Sequence, residues 1–439
     1  MKKKVLVLGA GMVAGPLVHY LLEKGFRVEV ASRTVSKAEN LVQGYPEGEA
    51  QQLNAKNTEL MEDLIRESDL AVSLLPPSFH TVPAEICIDK GKPLVTTSYV
   101  SEEMEDLDGQ AKESGVLLLN ETGLDPGIDH MSAVKTIEEV HEKGGEIKAF
   151  RSYCGALPAP EESLNPLGYK FSWHPTGVLH ASTSSARFLK EGEEIQVPSE
   201  DLFTAYEFKE IEGIGHFEQY PNRNSLPYMD KYNIPETDTI YRATLRNIGW
   251  CEALKKMVDL GLLDDEKKDL QGLSFREFTA ELAGCSTDNL EQQLAEKLNL
   301  DSYSRSLKTL KWLGLTDREE IPFDEGSPMK VLANRMEEKL SQDPGERDMV
   351  ILRHEFEAHY EEEEELIKAT LVDYGDPKGD TSIARTVGLP AAIASRMILE
   401  GRIDMSGVYI PVEEEIYEPI LEELEAVGMK FEEETESLC

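Results

Sequence analysis

Between Val5 and Leu119, short apolar runs alternate with helix-length amphipathic segments, and this pattern restricts the fold more than anything else in the chain. The runs are Val5–Leu8, Val28–Ala31, Leu70–Leu75, Pro93–Thr97 and Val116–Leu119. Helices are expected at Pro16–Lys24, Thr58–Glu67, around Val82–Lys90 and at Glu102–Ser114. Such alternation implies a doubly wound parallel sheet of the Rossmann-like α/β class. Leu74-Leu75, Thr97-Ser98-Tyr99 and Leu124-Asp125 then belong at strand ends on one edge, where open α/β sheets bind ligands.

The first run leads into Gly9-Ala10-Gly11-Met12-Val13-Ala14, a glycine turn opening a helix. There a tight turn and free backbone N–H groups can hold a pyrophosphate, and alanine is tolerated at the third glycine position. The second strand ends in Ser32-Arg33-Thr34, about 20 residues on, where NAD-preferring folds usually carry an Asp or Glu. A carboxylate there would repel a 2′-phosphate. Arg33 can instead pair with one in a fork while Ser32 and Thr34 donate hydrogen bonds, so NADP is the expected cofactor.

Asn120-Glu-Thr-Gly-Leu-Asp-Pro-Gly-Ile-Asp-His130 follows the last of these strands and precedes a helical pattern from Met131 to Val140. Gly123 and Gly127 flank Leu-Asp-Pro, so a sharp turn is required, with Pro126 fixing its own φ and restricting Asp125. A carboxylate is thereby presented on a rigid turn at a strand's carboxyl end.

At 439 residues, two or three domains are expected. The five cysteines, Cys87, Cys154, Cys251, Cys285 and Cys439, are scattered and form no CxxC, which fits reduced thiols in a cytoplasm and no metal site. Lys2–Lys4 followed by an apolar run resembles a signal peptide superficially. Glycines and a proline interrupt it, however, and strand–turn–helix is the reading. No stretch approaches the roughly 20 apolar residues of a membrane span. The 84 acidic against 45 basic residues, a formal charge of −39, argue against nucleic acid as a partner. Anionic ligands would need local basic groups against that field. Arg33, Lys170, Arg223, Arg246 and Arg385 are the candidates.

From Lys148 the pattern changes. Ile147–Tyr153 and Gly177–Ser182 read as parts of a second α/β layer. Leu254–Leu263, Phe275–Leu282, Leu290–Leu298 and Tyr303–Leu313 have helical periodicity and suggest an inserted helical domain. Met349–Ala358 and Leu366–Tyr374 alternate as a hairpin with the acidic tip Glu361–Glu365. Thr381–Glu400 reads as a helix rich in small residues, and Val408–Pro411 as a short strand.

An ordered series of motifs spans nearly the whole chain. It comprises Gly9-Ala-Gly11, Ser32-Arg-Thr34, Ser73-Leu-Leu-Pro76, Thr97-Ser-Tyr-Val-Ser101, Asn120–His130, Tyr153-Cys-Gly-Ala-Leu-Pro-Ala-Pro-Glu161, Asn165–Trp173, Tyr220-Pro-Asn-Arg223, Thr244-Leu-Arg246, Glu346-Arg-Asp-Met-Val350 and Thr386-Val-Gly-Leu-Pro390. On these the sequence resembles the saccharopine reductase family, the glutamate-forming saccharopine dehydrogenases. It departs from the family pattern at Ala156, at His174-Pro175-Thr176 and at Asn247-Ile248, all on the substrate side.

The resemblance implies an NADP-binding domain over 1–128 and an α/β catalytic and dimerisation domain over 129–240 and 335–384. It also implies a helical insertion over 241–334 and a C-terminal segment, 385–439, packing back on the first domain. A cytoplasmic homodimer acting on a small amino-acid substrate, without metal, is expected. Cofactor contacts are implied for Gly9, Ala10, Gly11, Met12, Val13, Ser32, Arg33, Thr34, Asn54, Ala55, Leu74, Leu75, Thr97, Ser98, Leu124, Asp125, Pro126 and Trp173. The substrate falls to Ser98, Tyr99, Asp125, Arg223, Thr244, Leu245 and Arg246, with Asp125 and Tyr99 as the catalytic pair. Alternatives are a reductase of another amine–aldehyde imine, of the carboxynorspermidine type, and a non-catalytic NADP-binding protein.

Overall fold

The computed structural model describes residues 2–173 and 175–438; Met1, the family departure at His174 and Cys439 lie outside the described residues. The chain divides into two compact units. The first comprises Met1–Glu146, Tyr360–Glu362 and Ala369–Glu434, and the second Ile147–His359, Glu363–Lys368 and Thr435–Cys439.

The first unit is built on strands β1 (Lys4–Leu8), β2 (Arg27–Ser32), β3 (Gly48–Gln52), β4 (Leu70–Ser73), β5 (Leu94–Thr96) and β6 (Leu117–Leu119). They lie in the order β6-β5-β4-β1-β2-β3, and Gly407–Tyr409 adds a further strand beside β6. Every pairing is parallel, with Val5 opposite Val28 and Leu70, and Leu8 opposite Ala31 and Ser73. Val5–Leu8 are fully buried, as strands covered on both faces must be. Because β4 ends at Ser73 and β5 at Thr96, Leu74, Leu75 and Thr97 lie in the connecting loops and not in the strands. The chain order reverses between β1 and β4, which opens a crevice at their carboxyl ends.

Helices α1 (Ala14–Glu23), α2 (Val35–Val42), α3 (Thr58–Arg66), α4 (Thr81–Lys90), α5 (Glu102–Glu105), α6 (Asp108–Ser114) and α7 (Ile128–Glu142) connect and follow these strands. The long helix Ser382–Glu400 packs on α1, and its small residues explain how closely. A Cβ on Gly388 would stand 2.9 Å from the Val13 carbonyl oxygen and 3.2 Å from the Leu17 nitrogen.

The larger sheet begins with β7 (Glu146–Pro158), continues through β8 (Ala186–Lys190), β9 (Glu193–Val197), β10 (Glu207–Ile211), β11 (Gly215–Pro221) and β12 (Thr239–Asn247), and includes the long hairpin Asp348–His359 and Glu364–Tyr374. It is mixed: β12 runs parallel to β7 but antiparallel to β11 and β8. Pro175–Ala181 is a helix, where a Gly/Pro-punctuated stretch of the layer was expected over Gly177–Ser182.

Helices Trp250–Asp259, Phe275–Ala283, Leu290–Lys297, Arg305–Trp312 and Pro328–Leu340 share one core with Trp250, Leu254, Phe275, Leu294, Leu310 and Met336. Ser274 and Glu277 close a reciprocal capping box on the second of them, fixing where that helix starts.

Candidate active site

The glycine turn follows β1 directly. Gly9 has φ +118°, and a Cβ there would sit 2.9 Å from the Leu74 carbonyl oxygen, so only glycine lets β1 and the β4 loop approach this closely. A Cβ on Gly11 would meet nothing within 4 Å. The turn is thus closed on the protein side at Gly9 and open at Gly11. Ala10 is buried, Val13 half-buried and Met12 54% exposed. No side chain caps the first turn of α1. A diphosphate fits this cradle of open backbone at a helix N-terminus.

Ser32 ends β2, and Arg33 and Thr34 follow it into solvent. Among the described residues the exposed Arg33 guanidinium makes no ion pair, and the Thr34 hydroxyl does not cap α2 although Thr34 holds the capping position. Both groups are therefore available to a phosphate. Asn54 is exposed after β3, its Oδ1 accepting the Lys56 N–H at 3.0 Å, and Ala55 is half-buried beside it. Leu74 and Leu75 are half-buried at the end of β4. All of these positions lie on the carboxyl edge of the parallel sheet.

Thr97, Ser98 and Tyr99 follow β5 on the same edge. The Tyr99 hydroxyl donates to Asp125 Oδ1 at 2.6 Å, so the two expected catalytic groups touch. The turn bearing Asp125 is closed by its own backbone. The Gly123 N–H donates to the Pro126 carbonyl at 2.9 Å and the Ile128 N–H to the Gly123 carbonyl at 2.8 Å. Gly127 has φ +146°, and a Cβ there would lie 2.0 Å from the Gly123 carbonyl oxygen. Leu124 and Pro126 are buried, while Asp125 between them keeps partial exposure.

Behind this pair lies a buried polar cluster. Glu121, 1% exposed and at φ +54°, accepts the Val100 N–H at 3.0 Å through Oε1 and faces His130 Nε2 at 2.7 Å through Oε2. Asp129, inside the first turn of α7, reaches back to accept the Gly127 N–H at 2.6 Å; the N-cap itself is Gly127. One carboxylate thus holds the residue after Tyr99, and another holds the end of the Asp125 turn. His130 is fully buried, which fits a packing role and not that of an exposed general base.

In the second unit, Thr244, Leu245 and Arg246 end β12, with Thr244 opposite Cys154 of β7 and Tyr220 of β11. Arg246 is 6% exposed and donates from Nη1 to the Leu245 carbonyl at 2.8 Å. Its guanidinium lies 5.1 Å from the Tyr169 ring centre and 5.4 Å from that of Trp250. Nε has no hydrogen-bond partner, and Arg246 forms no ion pair among the described residues. Burial pushes the nearby Tyr220 phenol up to about 12, with Arg246 acting in the opposite direction. Cys154 is buried and forms no disulfide.

Arg223 is exposed at φ +55°, its carbonyl accepting the Arg187 N–H at 2.9 Å. Trp173 is half-buried against the helical core, with its ring against Gly177. Of the candidate cations, Lys170 and Arg385 pair with carboxylates of the protein: Lys170 with Glu346, and Arg385 with Asp373 at 3.3 Å.

Residue patterns did not reveal His80, Glu121 or the Tyr169–Trp250 wall of Arg246. His80 bridges Ser73 and Ser98, and nothing local in its sequence surroundings marks it. Among the described residues no group of three or more His, Cys, Asp and Glu side chains could hold a metal ion, and no helix is long and apolar enough to cross a membrane.

Comparison with known proteins agrees with this geometry. Residues 5–119 match the saccharopine dehydrogenase NADP binding domain, and residues 123–429 the saccharopine dehydrogenase C-terminal domain. The chain is 40% identical to saccharopine dehydrogenase [NADP(+), L-glutamate-forming] of Schizosaccharomyces pombe, over 98% of both chains. It is 37% identical to bovine mitochondrial alpha-aminoadipic semialdehyde synthase, over 98% of this chain and 47% of that protein. The apo saccharopine dehydrogenase (L-Glu forming) structure from Saccharomyces cerevisiae superposes with a TM-score of 0.88 at 38% identity, covering 99% of this chain and all of that one. Homospermidine synthase from Legionella pneumophila, at 10% identity and a TM-score of 0.61, shares the fold alone.

Proposed function

The chain belongs to the saccharopine dehydrogenase family, and from that premise we infer that it is an NADP-dependent, L-glutamate-forming saccharopine dehydrogenase of lysine metabolism. It interconverts saccharopine, NADP and water with L-glutamate, 2-aminoadipate 6-semialdehyde, NADPH and a proton. The full-length 40% identity to the fission-yeast enzyme carries this reading.

NADP, when bound, supplies the hydride acceptor, and the cradle from Gly9 to Val13 with Ser32–Thr34 is the part of this chain that fits it. The exposed guanidinium of Arg33 reads the 2′-phosphate. Asn54, Ala55, Leu74 and Leu75 line the adenine and ribose side; Thr97, Ser98, Leu124, Asp125, Pro126 and Trp173 serve the nicotinamide half. Arg223 and Arg246, with Thr244 and Leu245, recognise carboxylates of the amino-acid substrate, for which a planar fork is suited. Asp125, oriented by Tyr99, balances the substrate's ammonium and steadies the amine during imine formation and hydrolysis. The enzyme works as a cytoplasmic homodimer.

A cofactor-linked absorbance assay with saccharopine, run with NADP and with NAD, tests the reading. Turnover with clear preference for NADP supports it. Absence of turnover by a folded, NADPH-binding protein overturns it.

A further inference from the structure

A line of buried polar groups runs from the end of β4 to Ser98. The Ser73 hydroxyl is 2.8 Å from His80 Nδ1, and His80 Nε2 is 2.8 Å from the Ser98 hydroxyl. Ser73 is fully buried and His80 4% exposed, while Ser98 is half-buried on the carboxyl edge. Thr96 Oγ1 stands 3.4 Å from both ring nitrogens, too far to compete with contacts of 2.8 Å.

The inventory of donors settles the direction of the line. A neutral imidazole has one N–H and one acceptor nitrogen. Burial holds His80 neutral, pushing its pKa down to about 4. If Nδ1 carried the proton, the Ser73 hydroxyl hydrogen would be buried with no acceptor among the described residues, a costly arrangement. With the proton on Nε2 the Ser73 hydroxyl and both ring nitrogens are satisfied: Ser73 donates to Nδ1, and Nε2–H donates to Ser98. Ser98 Oγ then already accepts, and its own hydrogen has no partner among the described residues.

We propose that His80 is a positioning residue, fixed in the Nε2–H tautomer by Ser73, which makes the Ser98 hydroxyl an obligate donor to an acceptor oxygen of the bound ligand. That oxygen belongs to a substrate carboxylate or to the carboxamide of the nicotinamide. The proposal rests on the saccharopine dehydrogenase reading only for the identity of this ligand.

Two measurements decide it. Heteronuclear NMR of the imidazole nitrogens at neutral pH, with His80→Gln used to assign the signal, should show a neutral ring protonated at Nε2. A ring protonated at Nδ1, or a charged ring, overturns the proposal whether or not saccharopine is turned over.

The second compares His80→Gln, which keeps an N–H donor near the Nε2 position, with His80→Phe and Ser98→Ala. All are read by NADPH fluorescence titration and by saccharopine kcat and KM at saturating NADP. His80→Gln should stay within about threefold of the parent. His80→Phe and Ser98→Ala should each lose roughly threefold to tenfold, the range of one neutral hydrogen bond. The double variant should lose no more than Ser98→Ala alone. A loss in NADPH affinity identifies the carboxamide, and a rise in saccharopine KM the carboxylate. Multiplicative losses in the double variant, or no loss in Ser98→Ala, refute the relay. If the parent does not turn over saccharopine, the functional reading fails separately, while the tautomer and the NADPH titration still decide the proposal.

Discussion

Arg33 and Arg246 are both candidate anion receptors, yet the two units hold them in opposite ways. Arg33 stands exposed at the end of β2, where water solvates it whether or not a phosphate is present. Arg246 is 6% exposed, held by one backbone carbonyl and two aromatic faces, with Nε unsatisfied. Burying a cation without a carboxylate costs stability, and the aromatic rings offset only part of that cost. Such an arrangement makes sense when a ligand delivers the missing charge. On the proposed function, Arg33 would add affinity at the surface, whereas Arg246 would be preorganised and draw its strength from a dry surrounding.

Replacing Arg246 by Leu should therefore have the largest effect. Saccharopine kcat/KM should fall about tenfold to a hundredfold, mainly through KM, because a charge-assisted hydrogen bond contributes roughly 1.5–3 kcal/mol. Thermal stability should hold or rise, since an unpaired buried charge is removed. A clear drop in Tm with unaltered KM would make Arg246 a structural residue and dissolve the contrast.

Arg33→Asp should come next, weakening NADP by about tenfold or more and NAD far less, with a loss that shrinks as salt is added because the site is exposed. Equal losses for both cofactors would show that Arg33 does not read the phosphate.

Asp125→Asn should lower kcat/KM by about tenfold while leaving NADP affinity and the shape of the pH profile unchanged, the signature of charge positioning. Loss of a limb of the profile would assign it proton transfer instead. Full activity would remove Asp125 from the site.

The smallest effect expected is on stability. His80 titrates near 6.5 when unfolded and at about 4 when folded. Between those values the unfolded chain binds the proton and the folded one does not. The contribution of His80 is thus complete above pH 6.5 and is lost as pH falls toward 4. His80→Gln should flatten that part of the Tm-versus-pH curve by a few degrees. An unchanged curve would mean that His80 is already charged in the native protein.

Much of the first unit was legible because its strands are buried on both faces and announce themselves as apolar runs. The exceptions sit at its margins. β3, Gly-Glu-Ala-Gln-Gln, lies at the sheet edge and carries too few apolar residues to register, and α2 before it buries only Ala38. The helix Glu414–Ala426 was hidden by its acidic residues, although Ile416, Tyr417, Ile420 and Leu424 form a buried stripe. In the second unit, the Gly and Pro of Pro175–Ala181 mark a mixed stretch of an α/β layer without specifying the short helix found there.

What the sequence determined by itself is what chain-local physics can specify. The glycines at 9, 11, 123 and 127 dictate turns, and Ser32-Arg33-Thr34 puts no carboxylate at the end of the second strand, where one would repel a 2′-phosphate. The order of strand ends dictates which side chains share an edge. Tertiary structure alone decided the groups that act through a neighbour. His80 reaches Ser73 and Ser98 from the bend before α4, Glu121 clamps Val100 and His130, and Arg246 takes one aromatic wall from nearby Trp250 and the other from Tyr169, far from it in sequence. A buried polar group has to find its partners wherever the fold supplies them, and those partners have no fixed spacing along the chain.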